Sequence, residues 1–263
     1  ITWVNSSWGG FQTFNPWHLG IISTIGFSMI LLSLIVSWQW YYRLALALGI
    51  LAIHPLLLNI SFNPDNLPAK YLMEAFITSG SFNKYPIIHW FALSVLGSVM
   101  GTGWFELWKT HHKRVIMGLC IGLTAIGLAI VIRVFQGYGN IFSYSGFGTY
   151  SFFIDQKYPP SLFHNIWFFG IVVLGVTLFS MIGRVCPKCL SGFSIIGKVP
   201  LFFYAIHLAI LGIFVKRIDL FYREGSILIT LLGFAIMMVI MIPLSKWFYG
   251  VKLRSNNYFI SMI

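Results

Sequence analysis

The sequence predicts an all-α fold, a polytopic transmembrane helix bundle of about seven spans. Three observations lead there. Of 263 residues, 58% are hydrophobic and only 9% charged, against about 25% charged in a soluble domain. Mean hydropathy is +0.83. The apolar residues also gather in runs near the roughly 20 residues that, at about 1.5 Å of rise each, cross about 30 Å of hydrocarbon. The chain holds several spans with no length left for a large soluble domain, so residues 1–263 read as a single integral membrane domain.

Seven segments approach span length: 16–37, 44–60, 86–106, 115–134, 161–182, 199–215 and 227–248. The second contains His54 and Pro55 and the sixth is the shortest, both tolerable where neighbouring helices satisfy freed backbone groups. Trp17, Trp38, Trp40, Trp90, Trp104, Trp108 and Trp247 fall near the proposed ends, as interfacial anchors do. In the fifth span, Pro159 and Pro160 are expected at the first helical positions, where a missing N–H costs nothing.

Counting lysine and arginine on alternate sides sets the expected orientation. One side holds Arg43, Lys109, Lys113, Arg114, Arg184, Lys188, Lys198, Lys246, Lys252 and Arg254; the other holds Lys70, Lys84, Arg133, Lys157, Lys216, Arg217 and Arg223. The bias puts Ile1 outside and the C-terminus in the cytosol. The connections 61–85 and 135–160 are then external, and the second, rich in glycine and aromatic residues, is expected to pack back onto the bundle.

The net charge of +11 comes from residues scattered through short loops, which excludes a nucleic-acid face and fits contact with anionic lipid. Cys120, Cys186 and Cys189 make no disulfide framework, and one CxxC without a second pair argues against a zinc or a redox role, so no metal is expected. The chain shows no Walker A, GxSxG, HExxH or dinucleotide fingerprint. It opens on Ile1 without a signal-peptide pattern, from which a missing N-terminal segment is expected.

Ionisable residues at membrane depth are functional candidates because burying them is expensive. Arg133, Asp155, Lys157, His89 and His164 lie at external span ends and could surround one polar pocket; the bland alternative is interfacial snorkelling or an Arg133–Asp155 pair. His207 falls mid-span, three residues after Tyr204 and on the same face, where an imidazole can relay a proton or simply pack. His54 has nothing polar near it in sequence and reads as packing. On the other side, Lys109, Arg114, Arg184 and Lys198 lie in two basic loops that could meet donor phosphates, or simply reflect the positive-inside rule.

Three stretches, YPIIHWFALSVLGSVMG (Tyr85–Gly101), KYPPSLFHNIWFFGIVVLG (Lys157–Gly175) and GKVPLFFYAIHLAILGIF (Gly197–Phe214), occur in an order and spacing that resemble a known family. It is that of bacterial membrane proteins related to the catalytic domain of heparan-alpha-glucosaminide N-acetyltransferase. The first stretch departs from the pattern in having His89 where a proline is expected, so His89 inherits no role.

The resemblance implies acyl transfer across a bacterial inner membrane, from cytosolic acetyl-CoA as co-substrate to an amine or hydroxyl of an envelope glycan or glycolipid outside. The family's catalytic histidine lies before the stretch that Ile1 begins, so this chain is expected to be the C-terminal part of a larger bundle. The remaining residues then take supporting roles: His207 and Lys157 in the chemistry, Tyr158, Tyr204, Arg133 and Asp155 at the substrate, and Arg184, Lys198, Lys109 and Arg114 at acetyl-CoA. A transporter and a non-catalytic assembly subunit, alone or as a homo-oligomer, are the competing expectations; the first finds no inverted repeat in its support.

Overall fold

The computed structural model describes residues 20–217, 226–255 and 257. The described residues form ten helices and no strand. These are α1 (Ile21–Ile35), α2 (Trp40–Leu57), α3 (Leu67–Phe76), α4 (Ile87–Thr102, continued by a π turn over Gly103–Leu107), α5 (His111–Phe135), α6 (Tyr150–Phe153), α7 (Leu162–Val185), α8 (Ser191–Lys198, entered through a 3-10 turn over Pro187–Leu190), α9 (Pro200–Ile210, continued by a π turn over Leu211–Arg217) and α10 (Ile227–Arg254).

Five of them, α2, α4 with its π turn, α5, α7 and α10, are long and apolar enough to cross a membrane. A sixth crossing results if Pro187–Lys198 and Pro200–Val215, which meet at 89°, form one broken span. The protein is thus an all-α membrane helix bundle, with fewer full-length spans than the seven apolar runs suggest. The sixth run is where the difference arises. Val199 is non-helical (φ −136°, ψ 54°) and Pro200 has no N–H to continue a ladder, so the chain turns there. The first run has 15 helical residues within the described part, and its positions 16–19 lie outside it.

The chain divides into two units, Ile1–Ser180 and Met181–Ile263, with the boundary inside α7. In the first, α4 packs against both α1 and α2, with Ala47 and Ala92 fully buried where α2 and α4 meet, beside Leu51, Val95 and Leu96. Between helices in lipid there is little hydrophobic drive, so small residues that let backbones approach carry the association. The α5–α7 crossing follows this rule. A Cβ on Gly170 would stand 3.0 Å from the Gly122 carbonyl oxygen, and one on Gly122 would stand 2.6 Å from Leu174 Cδ2; a Cβ on Gly118 would run into Thr177. Polar ties reinforce the α2–α4 pair: the buried Arg43 donates to Ser98 Oγ (2.9 Å) and Thr102 Oγ1 (2.8 Å).

Two local expectations are corrected. Pro159 and Pro160 are not helical positions. They form a turn closed by a Lys157–Pro160 bridge, and α7 starts at Leu162, where Ser161 caps it by accepting from the His164 N–H (3.0 Å). The cysteines are not all free either, because Cys186 and Cys189 are disulfide-bonded and only Cys120 is free. In the connection 61–85, Asn66 accepts from Ala69 N–H and so caps α3, which has Pro68 in its first turn.

In the second unit, α8 and α9 both pack on α10. Phe202 stacks on Phe248 at 4.2 Å between ring centres, and a Cβ on Gly192 would meet Ile242 at 3.1 Å.

Candidate functional site

Two histidines 35 positions apart meet in the first unit. α2 carries His54 and α4 carries His89, each only 1% exposed, with ring centres 4.6 Å apart. His54 Nε2 is 3.0 Å from the Ile77 carbonyl oxygen. A carbonyl only accepts, so Nε2 bears the proton and Nδ1 the lone pair. His89 differs: neither of its ring nitrogens closes a hydrogen bond of good geometry, and the neighbouring Trp90 Nε1–H is also buried without a partner. From α7, Asn165 commits Nδ2 to the Ser161 carbonyl (2.7 Å) and brings its carboxamide within hydrogen-bonding range of the His89 ring. Buried polar groups are almost always paired, so unpaired ones at one spot call for a partner such as a water or a ligand.

Above this pair stands a mouth built by two loops. Asn83, fully buried, holds the strand-like approach to α4 by accepting from Tyr85 N–H (2.9 Å) and donating to the Tyr85 carbonyl (2.8 Å). Thr24 Oγ1 of α1 donates to the same carbonyl (2.9 Å). Tyr85 is thereby fixed with its hydroxyl 3.2 Å from that of Tyr158 and its ring edge-on to Tyr158 at 5.3 Å. Burial pushes the Tyr85 phenol up to about 12, with the Tyr158 hydrogen bond adding to the shift. Lys157 is exposed, its Nζ 5.1 Å above the Tyr158 ring. His164, half-buried, packs on Phe168 and lies within electrostatic range of both Lys157 and Asp155.

Arg133 and Asp155 do something other than line a substrate pocket. Arg133 is 0% exposed, and all five of its N–H groups are used inside the protein: Nε to Phe152 O, one Nη to Asn140 Oδ1 and Phe142 O, the other to Ser151 O and Ile154 O. Asp155, also buried, accepts from the Ile141 and Phe142 N–H groups (3.1 and 2.8 Å) and stands 3.8 Å from the guanidinium. The two ends of the glycine-rich loop are thus wound around one cation, which leaves it no donor for a substrate. The structure thus shows the Arg133–Asp155 pair that the sequence offers as the alternative to a substrate-binding role.

Two apolar cavities meet at Asn165. One of about 560 Å³ lies between α4 and α7, with Trp90, His164 and Asn165 at one end and Trp104 and Phe105 at the other. The larger, about 1080 Å³, is bounded by α2, α4, α5 and α7 and reaches from Asn165 and Tyr138 to Trp40, Trp108 and Lys113. Asn165 borders both. Next to Lys113 in sequence, Arg114 donates through Nε to the Trp108 carbonyl (3.0 Å), and Lys109 is exposed.

The other expected residues belong to the second unit. His207 Nδ1 lies 2.9 Å from the Phe203 carbonyl, which by the same reasoning makes Nδ1 the protonated nitrogen and Nε2 the lone pair. Its ring stacks on Phe203 and meets Tyr204 edge-on at 5.5 Å. Lys198 places Nζ 4.9 Å above the Tyr249 ring, and Arg184 is exposed at the end of α7. Among the described residues no three His, Cys, Asp or Glu side chains gather as a metal group.

Sequence reasoning read His54 as packing and Trp90 as an interfacial anchor, and did not name Asn165. It singled out His89 by its position at a span end, not by its partners. No family model, no curated protein and no solved structure matches the chain.

Proposed function

We propose that this chain is part of a membrane-bound acyltransferase that passes an acetyl group from cytosolic acetyl-CoA to a sugar amine or hydroxyl of an envelope glycan or glycolipid at the Tyr85–Tyr158 mouth. One observation carries the reading. An apolar cavity of about 1080 Å³ with Lys113 at one end comes up to Asn165, whose carboxamide is within hydrogen-bonding range of the buried His89 imidazole, and the neighbouring cavity of about 560 Å³ is lined by Trp90, whose indole N–H closes no hydrogen bond. The walls of the larger cavity suit the thioester arm of the donor, and Lys109, Lys113 and Arg114 suit its phosphates.

In such a reaction the acceptor's nitrogen or oxygen attacks the thioester carbonyl, the carbon–sulfur bond breaks, and the acceptor's proton leaves to a base. His89 is the base that the geometry offers, and the Trp90 N–H is the donor for the oxyanion. Lys157 and Tyr158 hold the acceptor at the mouth. His207, with its Nε2 lone pair available, and Tyr204, Arg184 and Lys198 are assigned supporting parts by the family resemblance alone.

The test is to incubate the full-length protein in nanodiscs with radiolabelled acetyl-CoA and a panel of amino sugars. Saturable acetyl-CoA binding and labelled sugar are expected; no binding above background sinks the reading. A second reading, a transporter, draws on the helix pair broken at 89° in the second unit, since discontinuous helices build transporter sites. Sugar uptake into proteoliposomes without acetyl-CoA would favour it.

A further inference from the structure

The bridge between Cys186 and Cys189 has no place in acyl transfer, and little place in holding the fold. It closes a loop of four residues, where the constraint a disulfide puts on the unfolded chain is smallest. The backbone already holds this turn without it, because Cys186 N–H donates to Ile182 O (2.7 Å) and Cys189 N–H to Cys186 O (3.1 Å). Chemically, though, the site is well placed. Cys189 is exposed and Cys186 half-buried, so an incoming thiol meets one sulfur before the other. Arg184 and Lys188 flank the pair, both exposed, and no carboxylate side chain stands among the described residues of the second unit. That electropositive setting favours the thiolate form of a released cysteine, which makes it a good leaving group.

We propose that Cys186–Cys189 is a reversible thiol–disulfide exchange site, opened by a dithiol donor and closed again by a disulfide donor. The donor's thiolate attacks Sγ of Cys189, a mixed disulfide forms, and Cys186 departs as a thiolate that takes a proton from water. The donor's second thiol then attacks the donor sulfur of the mixed disulfide, closing the donor's own disulfide and releasing Cys189. Two electrons and two protons pass from donor to bridge. On the cytosolic side, where the lysine and arginine count puts this connection, a thiol pool is at hand to drive the exchange.

The test uses the full chain in membranes with Cys120→Ser to remove the one other thiol. Dithiothreitol at millimolar strength is expected to open the bridge in the folded protein, read as a double gel shift with a maleimide-polyethylene glycol, and oxidised glutathione to close it again. With oxidised glutathione, Cys186→Ser is expected to accumulate a glutathione adduct about tenfold more than Cys189→Ser, since the thiolate of the exposed Cys189 reaches and attacks the glutathione disulfide, releasing one glutathione thiolate. The double variant should keep the thermal midpoint of the parent. The proposal is overturned if the bridge opens only in denaturant, if the two thiols are unbridged under oxidised glutathione, if the adducts are equal, or if the double variant loses its fold.

Discussion

His54 and His89 face each other at 4.6 Å between ring centres; His54 closes a hydrogen bond to Ile77, whereas His89 closes none of good geometry. The asymmetry separates a structural imidazole from one left over. Replacing a buried polar group that has no closed hydrogen bond by an apolar ring is close to neutral for folding. His89→Phe should therefore leave the thermal midpoint in detergent near that of the parent while lowering acetyl transfer by about 100-fold or more, the usual worth of a general base. A variant that unfolds without a separate loss of activity would make His89 a packing residue.

Lys157 allows a similar separation at the mouth. Its side chain is exposed, with Nζ over the Tyr158 ring, so Lys157→Ala should change stability by no more than about 0.5 kcal/mol. Its effect is expected in KM for the acceptor, measured by transfer assays over a range of sugar concentrations, with KM for acetyl-CoA unchanged.

For Arg133 the opposite outcome is expected. Removing one member of a buried ion pair costs about 3–5 kcal/mol because the other charge is left uncompensated. Arg133→Met should lower the thermal midpoint sharply and expose the 136–160 loop to limited proteolysis. Arg133→Met combined with Asp155→Asn should recover part of the loss, since the double change leaves no orphaned charge.

The α5–α7 crossing gives a paired test with its own control. Gly170→Ala brings a methyl group against Ile126 Cγ1 (2.8 Å) and the Gly122 carbonyl (3.0 Å), whereas Gly127→Ala, on the same α5 helix that Gly170 faces, meets nothing within 4 Å. The first should destabilise by about 1–3 kcal/mol. The second should be neutral or raise the midpoint slightly, because alanine is the better helix former.

Tyr85 predicts an alkaline signature. Its phenol ionises near 10.0 in an unfolded chain and near 12 in the folded one, so folding favours the protonated form. That contribution is complete below about pH 10 and is lost as the pH rises towards 12. The parent's thermal midpoint should fall more steeply over this window than that of Tyr85→Phe.

The helices were legible because hydrocarbon demands length and apolarity, and each of the seven apolar runs contains a helix. The break at Val199–Pro200 falls where the sixth run begins, so what run length misses is the short helix before it, Ser191–Lys198, which meets the run at a sharp bend. α3 was passed over although Asn66 followed by Pro68 announces a helix start, because an amphipathic ten-residue helix has no apolar run to notice. The Gly118–Gly122 spacing was a readable sign of close helix approach. The site was harder. His54 meets His89 only through the register of α2 against α4, and Arg133 is satisfied by five acceptors of which four are backbone carbonyls, which no residue type encodes.

The arrangement of packing in the first unit has a further consequence. α1, α2 and α4 are joined to one another, and α5 and α7 are joined by their glycines, while the two cavities occupy the space between these groups. Several wall residues, among them Leu48, Phe105 and Val172, are exposed, so this space opens sideways. On the proposed acyltransferase reading, an amphiphile dissolved in the bilayer reaches the Asn165 end of this space by lateral diffusion, without passing through water. What governs its arrival is then its concentration per unit of membrane area, and a water-soluble analogue of the same headgroup would be a poor competitor.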